Sequence, residues 1–281
     1  MSAEKASFDP KRFKQQERAG FNLVAERYER GVEVNRGALE RMVELARLET
    51  GGRVLDVACG PGLVSRYAAR KVGEQGAIIG IDIAEQALEI GRKRAKGEGL
   101  ENISFAVMDA EHLAAADESF DAVLIGLGLM HFPHPEKALQ EAWRVLKPGG
   151  RVAVTVWGEE HEVDFLRLAL LAITRQFPPP RVERPSMFRF GASGVVEGLL
   201  HACGFGEARV ERLNASLTVA GAEEYWQGFL DAAGITTVSL AKQPPEVMQQ
   251  LVAQTRQDLQ AYRQGESYVL NNVSLAGVAV K

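Results

Sequence analysis

The stretch Val54–Gly62, VLDVACGPG, constrains this chain more than any other. An apolar run broken by one acid, then small residues and two glycines, describes a buried strand that turns sharply into a helix. Gly60 and Gly62 carry no side chain, so a ligand can approach the backbone closely there. The helix beginning near Leu63 offers unpaired N–H groups and the positive end of its dipole. Asp82 ends the next apolar run, AIIGID, about twenty residues further on, where a carboxylate can hold two ribose hydroxyls. These features point to a nucleoside-bearing cofactor bound across the ends of neighbouring strands.

The rest of the chain extends this pattern. Short apolar runs at 53–58, 77–82, 103–107, 120–126 and 151–157 predict buried parallel strands, and 37–49, 63–72, 84–97 and 135–146 predict the helices between them. Such alternation implies a parallel sheet covered by helices on both faces. Lys147-Pro148-Gly149-Gly150 is expected as a turn. After Trp157 the rhythm changes. Residues 164–177 predict a strongly apolar helix stopped by Pro178-Pro179-Pro180, residues 194–203 a short helix, and 207–219 a strand. Helices are expected at 222–233 and 245–262, and a last strand at 268–280. The domain plan is an N-terminal helical lid (1–35), an α/β core (36–157), a cap segment (158–190), a return to the sheet (191–220), a helical cap insertion (221–266) and a final core strand (267–281). Phe21, Val24 and Tyr28 give the N-terminal segment its helical spacing.

Composition narrows the classes of partner. Hydrophobic content of 46% over 281 residues supplies a full core, and 33 Lys and Arg against 37 Asp and Glu leave a net charge of −4. No broad basic field is present, so nucleic acid is not an expected partner. The one basic cluster, Arg92, Lys93, Arg94 and Lys96, falls late in a predicted helix, where it suits the negative end of the dipole. Two distant cysteines, Cys59 and Cys203, make neither a disulfide framework nor a thiolate metal cage, and His131-Phe132-Pro133-His134 lacks helical ligand spacing; no metal is expected. The longest apolar run, Ala122–Met130, is too short to span a bilayer, and the polar N-terminus has no signal-peptide core, so the expected location is cytoplasmic.

The loop itself discriminates among cofactors. Ser65 stands where a dinucleotide fingerprint has its third glycine, Pro61 removes an N–H, and Asp56 would repel a pyrophosphate. A carboxylate at Asp56 suits a cofactor with a cationic ammonium group. Asp109, directly after the third strand, can accept a hydrogen bond from an exocyclic adenine amine. Together VLDVACGPG, GIDIAEQAL, MDAEHL, ESFDAV and HFPHPEKALQEAWRVLKPGG, in this order and spacing, resemble the class I S-adenosylmethionine-dependent methyltransferases, and within them the ubiquinone/menaquinone-type and natural-product branch. The resemblance covers about residues 20–157.

It implies a Rossmann-like, seven-stranded, mostly parallel sheet whose last strand is antiparallel, with a helical cap. It implies that Asp56, Ala58 (often glycine in the family), Gly60 and Gly62 surround the methionine moiety of S-adenosylmethionine. Asp82 with Ile83 would hold the ribose, and Asp109, Ala110 and Glu111 the adenine side. Tyr28 would close over the cofactor. His131, after the fourth strand, is a candidate general base, or else orients a loop or a water. Trp157, Phe165, Met187, Phe188, Phe190, Trp226 and Phe229 are candidate walls of an acceptor pocket, or else the core of the cap itself. Arg189 meets an acidic acceptor or faces solvent. Cys59 is expected to pack rather than react. The expected activity is methyl transfer to an oxygen or carbon of a small lipophilic, aromatic or quinonoid metabolite. A binder of the cofactor without turnover, and a nicotinamide-dependent reductase, are the competing readings. Oligomeric state is left open.

Overall fold

The computed structural model describes residues 8–178 and 184–281. The chain opens with helices α1 (Pro10–Val24), α2 (Tyr28–Gly31) and α3 (Arg36–Leu45). The core follows as β1 (Arg53–Val57), α4 (Leu63–Val72), β2 (Ala77–Asp82), α5 (Glu85–Gly97), β3 (Ile103–Val107), β4 (Phe120–Gly126), α6 (Pro135–Val145) and β5 (Leu146–Trp157). Then come α7 (Asp164–Gln176), α8 (Val195–Ala202), β6 (Gly206–Val219), α9 (Ala222–Ala232), α10 (Gly234–Leu240), α11 (Pro245–Asp258), the two-residue β7 (Arg263–Gln264) and β8 (Ser267–Val280).

The sheet order is β3-β2-β1-β4-β5-β8-β6, with β7 folded back on β8 as a hairpin. The first five strands are parallel, and β8 is antiparallel to both β5 and β6. This is the Rossmann-like α/β fold expected from the alternation. Residues 54–57, 122–125 and 152–157 are buried as continuous runs rather than alternately, because helices cover both faces of the sheet. The edge strand β6 instead alternates between exposed and partly buried positions.

The tetrad Lys147–Gly150 departs from its expectation as a turn. α6 stops at Val145 and β5 begins immediately, with the register slipping from the Phe120–Leu146 pair to the Ala122–Arg151 pair, so the tetrad is a bulge inside the strand. Gly149 takes the positive φ of +78° that this needs. Two of the prolines expected to stop α7, Pro179 and Pro180, lie outside the described residues, as do the first seven residues of the lid. No helix among the described residues is long and apolar enough to cross a membrane.

The N-terminal helices are fastened to the cap insertion. α1 crosses α10 so closely that a Cβ on Gly20 would lie 2.5 Å from the Ile235 nitrogen, and one on Gly234 would lie 2.6 Å from the Gly20 carbonyl carbon. Only glycine at both positions permits that approach. Beside it, the buried Asp231 of α9 pairs with Arg30 at 2.7 Å and Arg27 at 3.5 Å. α10 itself was not anticipated; its sequence GITTVSL is short, β-branched and poor in helix formers.

Candidate active site

A cleft runs along the carboxyl ends of the parallel strands. That edge is where a parallel α/β sheet leaves its crevice. Met108, Asp109 and Ala110 line it after β3, Asp82 and Ile83 after β2, and Ala58, Gly60 and Pro61 after β1. Gly126, Leu127 and Gly128 follow at the end of β4, then His131, Phe132 and Pro133. α1 and its continuation roof the cleft with Lys14, Glu17, Phe21, Ala25 and Tyr28.

The loop after β1 is shaped by conformation. Gly60 has φ +51°, and a Cβ there would meet nothing within 4 Å, so the backbone lies open to a ligand. Gly62, which starts α4, has φ +79°, and a Cβ would press to 2.8 Å against the Phe105 ring. Ala58 at φ +55° and Leu127 at φ +52° both hold left-handed backbone conformations at the cleft wall. Each costs an L residue roughly 1–2 kcal/mol. The Leu127 turn is held by its N–H donating to buried Thr155 Oγ1 at 2.9 Å.

Asp82 ends β2 with its Oδ2 accepting from the Gly60 N–H and its Oδ1 from the Ala84 N–H, both at 2.8 Å. Burial pushes its carboxyl above the ordinary range, while these hydrogen bonds oppose the shift. The Tyr28 phenol is pushed up by burial and by the charge of Asp82, and so remains a donor. Asp109 accepts from the Glu111 N–H at 3.0 Å and from Lys14 Nζ at 2.6 Å.

Three of the expected cofactor residues stand behind the wall. Asp56 is buried beneath the loop, with Oδ2 accepting from Ser65 Oγ at 2.5 Å and Oδ1 without a hydrogen-bond partner. Burial drives its pKa up to about 7, against the Ser65 hydrogen bond and with help from the charge of Asp82. Gly62 packs on Phe105. Glu111 is buried, taking Lys14 Nζ at 2.8 Å and the His134 N–H at 2.9 Å, and so joins the roof to the loop after β4. Cys59 is buried and its thiol is pushed well up by that burial, which keeps it protonated.

None of the residues expected to wall an acceptor pocket lines this cleft. Phe165 packs edge-on against Tyr225 and Phe229, each 6.3 Å between ring centres, and Trp226 against Phe229 at 5.5 Å. These rings, with Trp157 at 6.5 Å from Phe165, form the buried seam between α7, α9 and the sheet. Trp226 Nε1 is satisfied inside that seam by Thr255 Oγ1 at 2.9 Å. Phe190 is also buried, and Met187 and Phe188 are half-buried. Arg189, half-buried, does not line the cleft. Its Nη2 donates to the carbonyls of Leu129, Met130 and Phe132 at 3.2, 3.1 and 2.5 Å, clamping the turn that carries His131.

His131 does line the cleft, and its Nδ1 lies 2.9 Å from Glu17 Oε2. Lys14, Glu17, Phe21 and Leu127 were missed by sequence reasoning. A signal was present: the buried stripe of α1 is Phe13, Glu17, Gly20 and Val24, so a glutamate occupies a position that the helical period assigns to the core.

The comparisons agree with this geometry. A family described as a methyltransferase domain matches residues 54–150. A ubiquinone/menaquinone biosynthesis C-methyltransferase of Methylococcus capsulatus is 37% identical over 158 residues, which are 54% of this chain and 63% of that protein. Its counterpart in Ectopseudomonas mendocina is 40% identical over 140 residues, 48% of this chain and 55% of that one. The chain thus spans less than two thirds of the length of these relatives. The YcgJ protein of Bacillus subtilis has the same fold, with a TM-score of 0.61 at 19% identity over 87% of this chain and 98% of its own.

The cofactor of the class is S-adenosylmethionine, and the residues present fit it. Open space stands over Gly60, a half-buried carboxylate ends β2, and Glu17, Asp82 and Asp109 make the cleft wall receptive to a cationic ligand. Residues 54–150 thus match a methyltransferase-domain family, on a fold and beside a cleft that suit S-adenosylmethionine.

Proposed function

We propose that this protein methylates an oxygen or carbon of a small lipophilic, aromatic or quinonoid metabolite. One observation carries the reading. The cleft does not end with the cofactor loop but continues past the end of β4, between Phe21, Leu127, Phe132 and Pro133, with the His131 imidazole among these apolar groups. Apolar walls with one placed polar group suit a small lipophilic ring. The matched relatives bear the name of quinone-pathway C-methyltransferases, which is consistent with such an acceptor.

The strand order sets the direction of binding. Asp109 lies after β3 and Asp82 after β2, so adenosine held there extends past the β1 loop towards the end of β4. When bound, S-adenosylmethionine supplies a methyl group on a positively charged sulfur that departs as a neutral thioether. The protein's task is then to align the acceptor with that carbon and to keep water out. Asp82 fixes the ribose, Asp109 with Ala110 the adenine, and Tyr28 and Phe21 close the roof. His131 stands at the acceptor end.

The test supplies methyl-labelled S-adenosylmethionine and a small-molecule extract, and follows label into an organic layer. Transfer into that layer is expected. Tight binding of S-adenosylhomocysteine with no labelled product in any fraction would turn the reading towards a binder without turnover. In parallel, Asp82→Ala should weaken S-adenosylhomocysteine binding by about 1–3 kcal/mol in calorimetry, the worth of charged hydrogen bonds to ribose. An unchanged affinity would remove Asp82 from the site.

A further inference from the structure

Glu17 and His131 are 114 residues apart in the chain, yet they meet inside the cleft. Glu17 is only 5% exposed, and its Oε2 lies 2.9 Å from His131 Nδ1. Burying a carboxylate in an apolar helix stripe costs stability unless a partner compensates it, and the imidazole is that partner. Two other groups restrain the same ring. Phe21 meets it edge-on, 4.9 Å between centres at 86°. Arg189 holds the carbonyls of the turn on which the ring is mounted. Backbone, ring plane and one ring nitrogen are therefore each fixed by a different side chain. Among the described residues, Nε2 has no hydrogen-bond partner.

We infer that Glu17 is a positioning residue for a His131 general base, and that the acceptor is a hydroxyl group. The inference rests on the methyl-transfer reading and deepens it. A carboxylate on Nδ1 selects the tautomer with the proton on Nδ1 and leaves the Nε2 lone pair for substrate. It also stabilises the imidazolium formed when Nε2 takes a proton. Such a base is of use to an acceptor that must lose its proton to become nucleophilic. A neutral amine already has its lone pair, whereas a phenol, with a pKa of about 10, needs the help. In the step the acceptor O–H proton moves to His131 Nε2 and the acceptor oxygen bonds to the methyl carbon. The carbon–sulfur bond breaks with its electron pair remaining on sulfur. The imidazolium then returns its proton to solvent. Because Glu17 belongs to α1, the roof of the cleft contributes to the chemistry as well as covering it.

The first readout does not depend on turnover. The full chain is labelled with ¹⁵N-histidine, bound to S-adenosylhomocysteine, and the His131 ring nitrogens are assigned by the signals lost in His131→Gln. Wild type is expected to show the Nδ1–H tautomer. Glu17→Ala should shift the population towards Nε2–H, and Glu17→Gln, whose amide oxygen still accepts from Nδ1–H, should retain the wild-type pattern. With the labelled extract, Glu17→Ala should lower kcat about tenfold or more while S-adenosylhomocysteine affinity stays within about twofold, and Glu17→Gln should recover most of the rate. The labelled product should be a methyl ether. An unchanged tautomer in Glu17→Ala overturns the positioning role. A changed tautomer with unchanged kcat overturns the base. An N-methyl or C-methyl product overturns the hydroxyl acceptor while leaving methyl transfer standing. Failure of wild type to bind S-adenosylhomocysteine or to transfer label in any form defeats the methyl-transfer reading and this inference with it.

Discussion

Asp56 and Asp82 end adjacent parallel strands, and their environments separate them. Asp82 spends both oxygens on backbone N–H groups at the cleft, whereas Asp56 is sealed beneath the loop with one oxygen bare. Burial lifts the Asp56 carboxyl to about 7 in the fold, against an ordinary value of about 3.9. The folded state therefore binds a proton that the unfolded state has already lost, so this group subtracts stability as pH rises from about 4 through about 7, and the loss is complete above that. Asp56→Asn, which cannot ionise, should melt at least roughly 2 °C higher than wild type at pH 8 without cofactor, with the margin vanishing near pH 4. A margin that does not change with pH would refute the buried-acid account. The sequence exposed Asp56 as the acid before the loop but not which way it faces. That depends on Ser65, in the first turn of α4, capturing its Oδ2.

Helix α1 shows how a single element can combine cover and contact. Lys14 bridges Asp109 and Glu111, and Arg18 forms a double hydrogen bond with Glu85 at 2.8 Å for each contact. The hydrogen bond from Arg18 holds the Glu85 carboxyl down at about 2. The Arg18–Glu85 pair is open to solvent and the Lys14–Asp109 pair partly so, where each is worth little alone and salt screens it; only Glu111 is buried. Deuterium exchange in α1 should therefore quicken as salt is raised towards 1 M, and Lys14→Met should produce part of that effect at low salt. Exchange in α1 that ignores both would mean that apolar packing alone holds it. Aromatic teeth at Phe21 and Tyr28 made the helix legible, but its function lay in the charged residues between them. Hydrophobic periodicity treats Lys14 as surface and puts Glu17 in the buried stripe without naming its partner, because the partners of both lie about a hundred residues away. The cap aromatics failed in the opposite direction. An apolar, aromatic helix face is the same in sequence whether it meets a ligand or another helix, and here α7 and α9 meet each other.

In the molecule as a whole, the parallel strands and the glycine loop after the first of them were legible because buried strands and their glycine turns are written locally; the order of the strands in the sheet was not. The acceptor end was not, because it is assembled from α1, the turn after β4 and the clamp from Arg189. A ligand enclosed by both halves of such an assembly stabilises all of it. S-adenosylhomocysteine at a hundred times its Kd should add about 2.7 kcal/mol and raise Tm by roughly 5–10 °C. NADH at the same concentration should leave Tm where it was; an equal rise with NADH would reopen the nicotinamide reading. The crossing of Gly20 with Gly234 fastens α1 directly to α10, two helices from opposite ends of the sequence. The same contact ties together two codons more than two hundred apart: neither position can enlarge unless the other helix retreats.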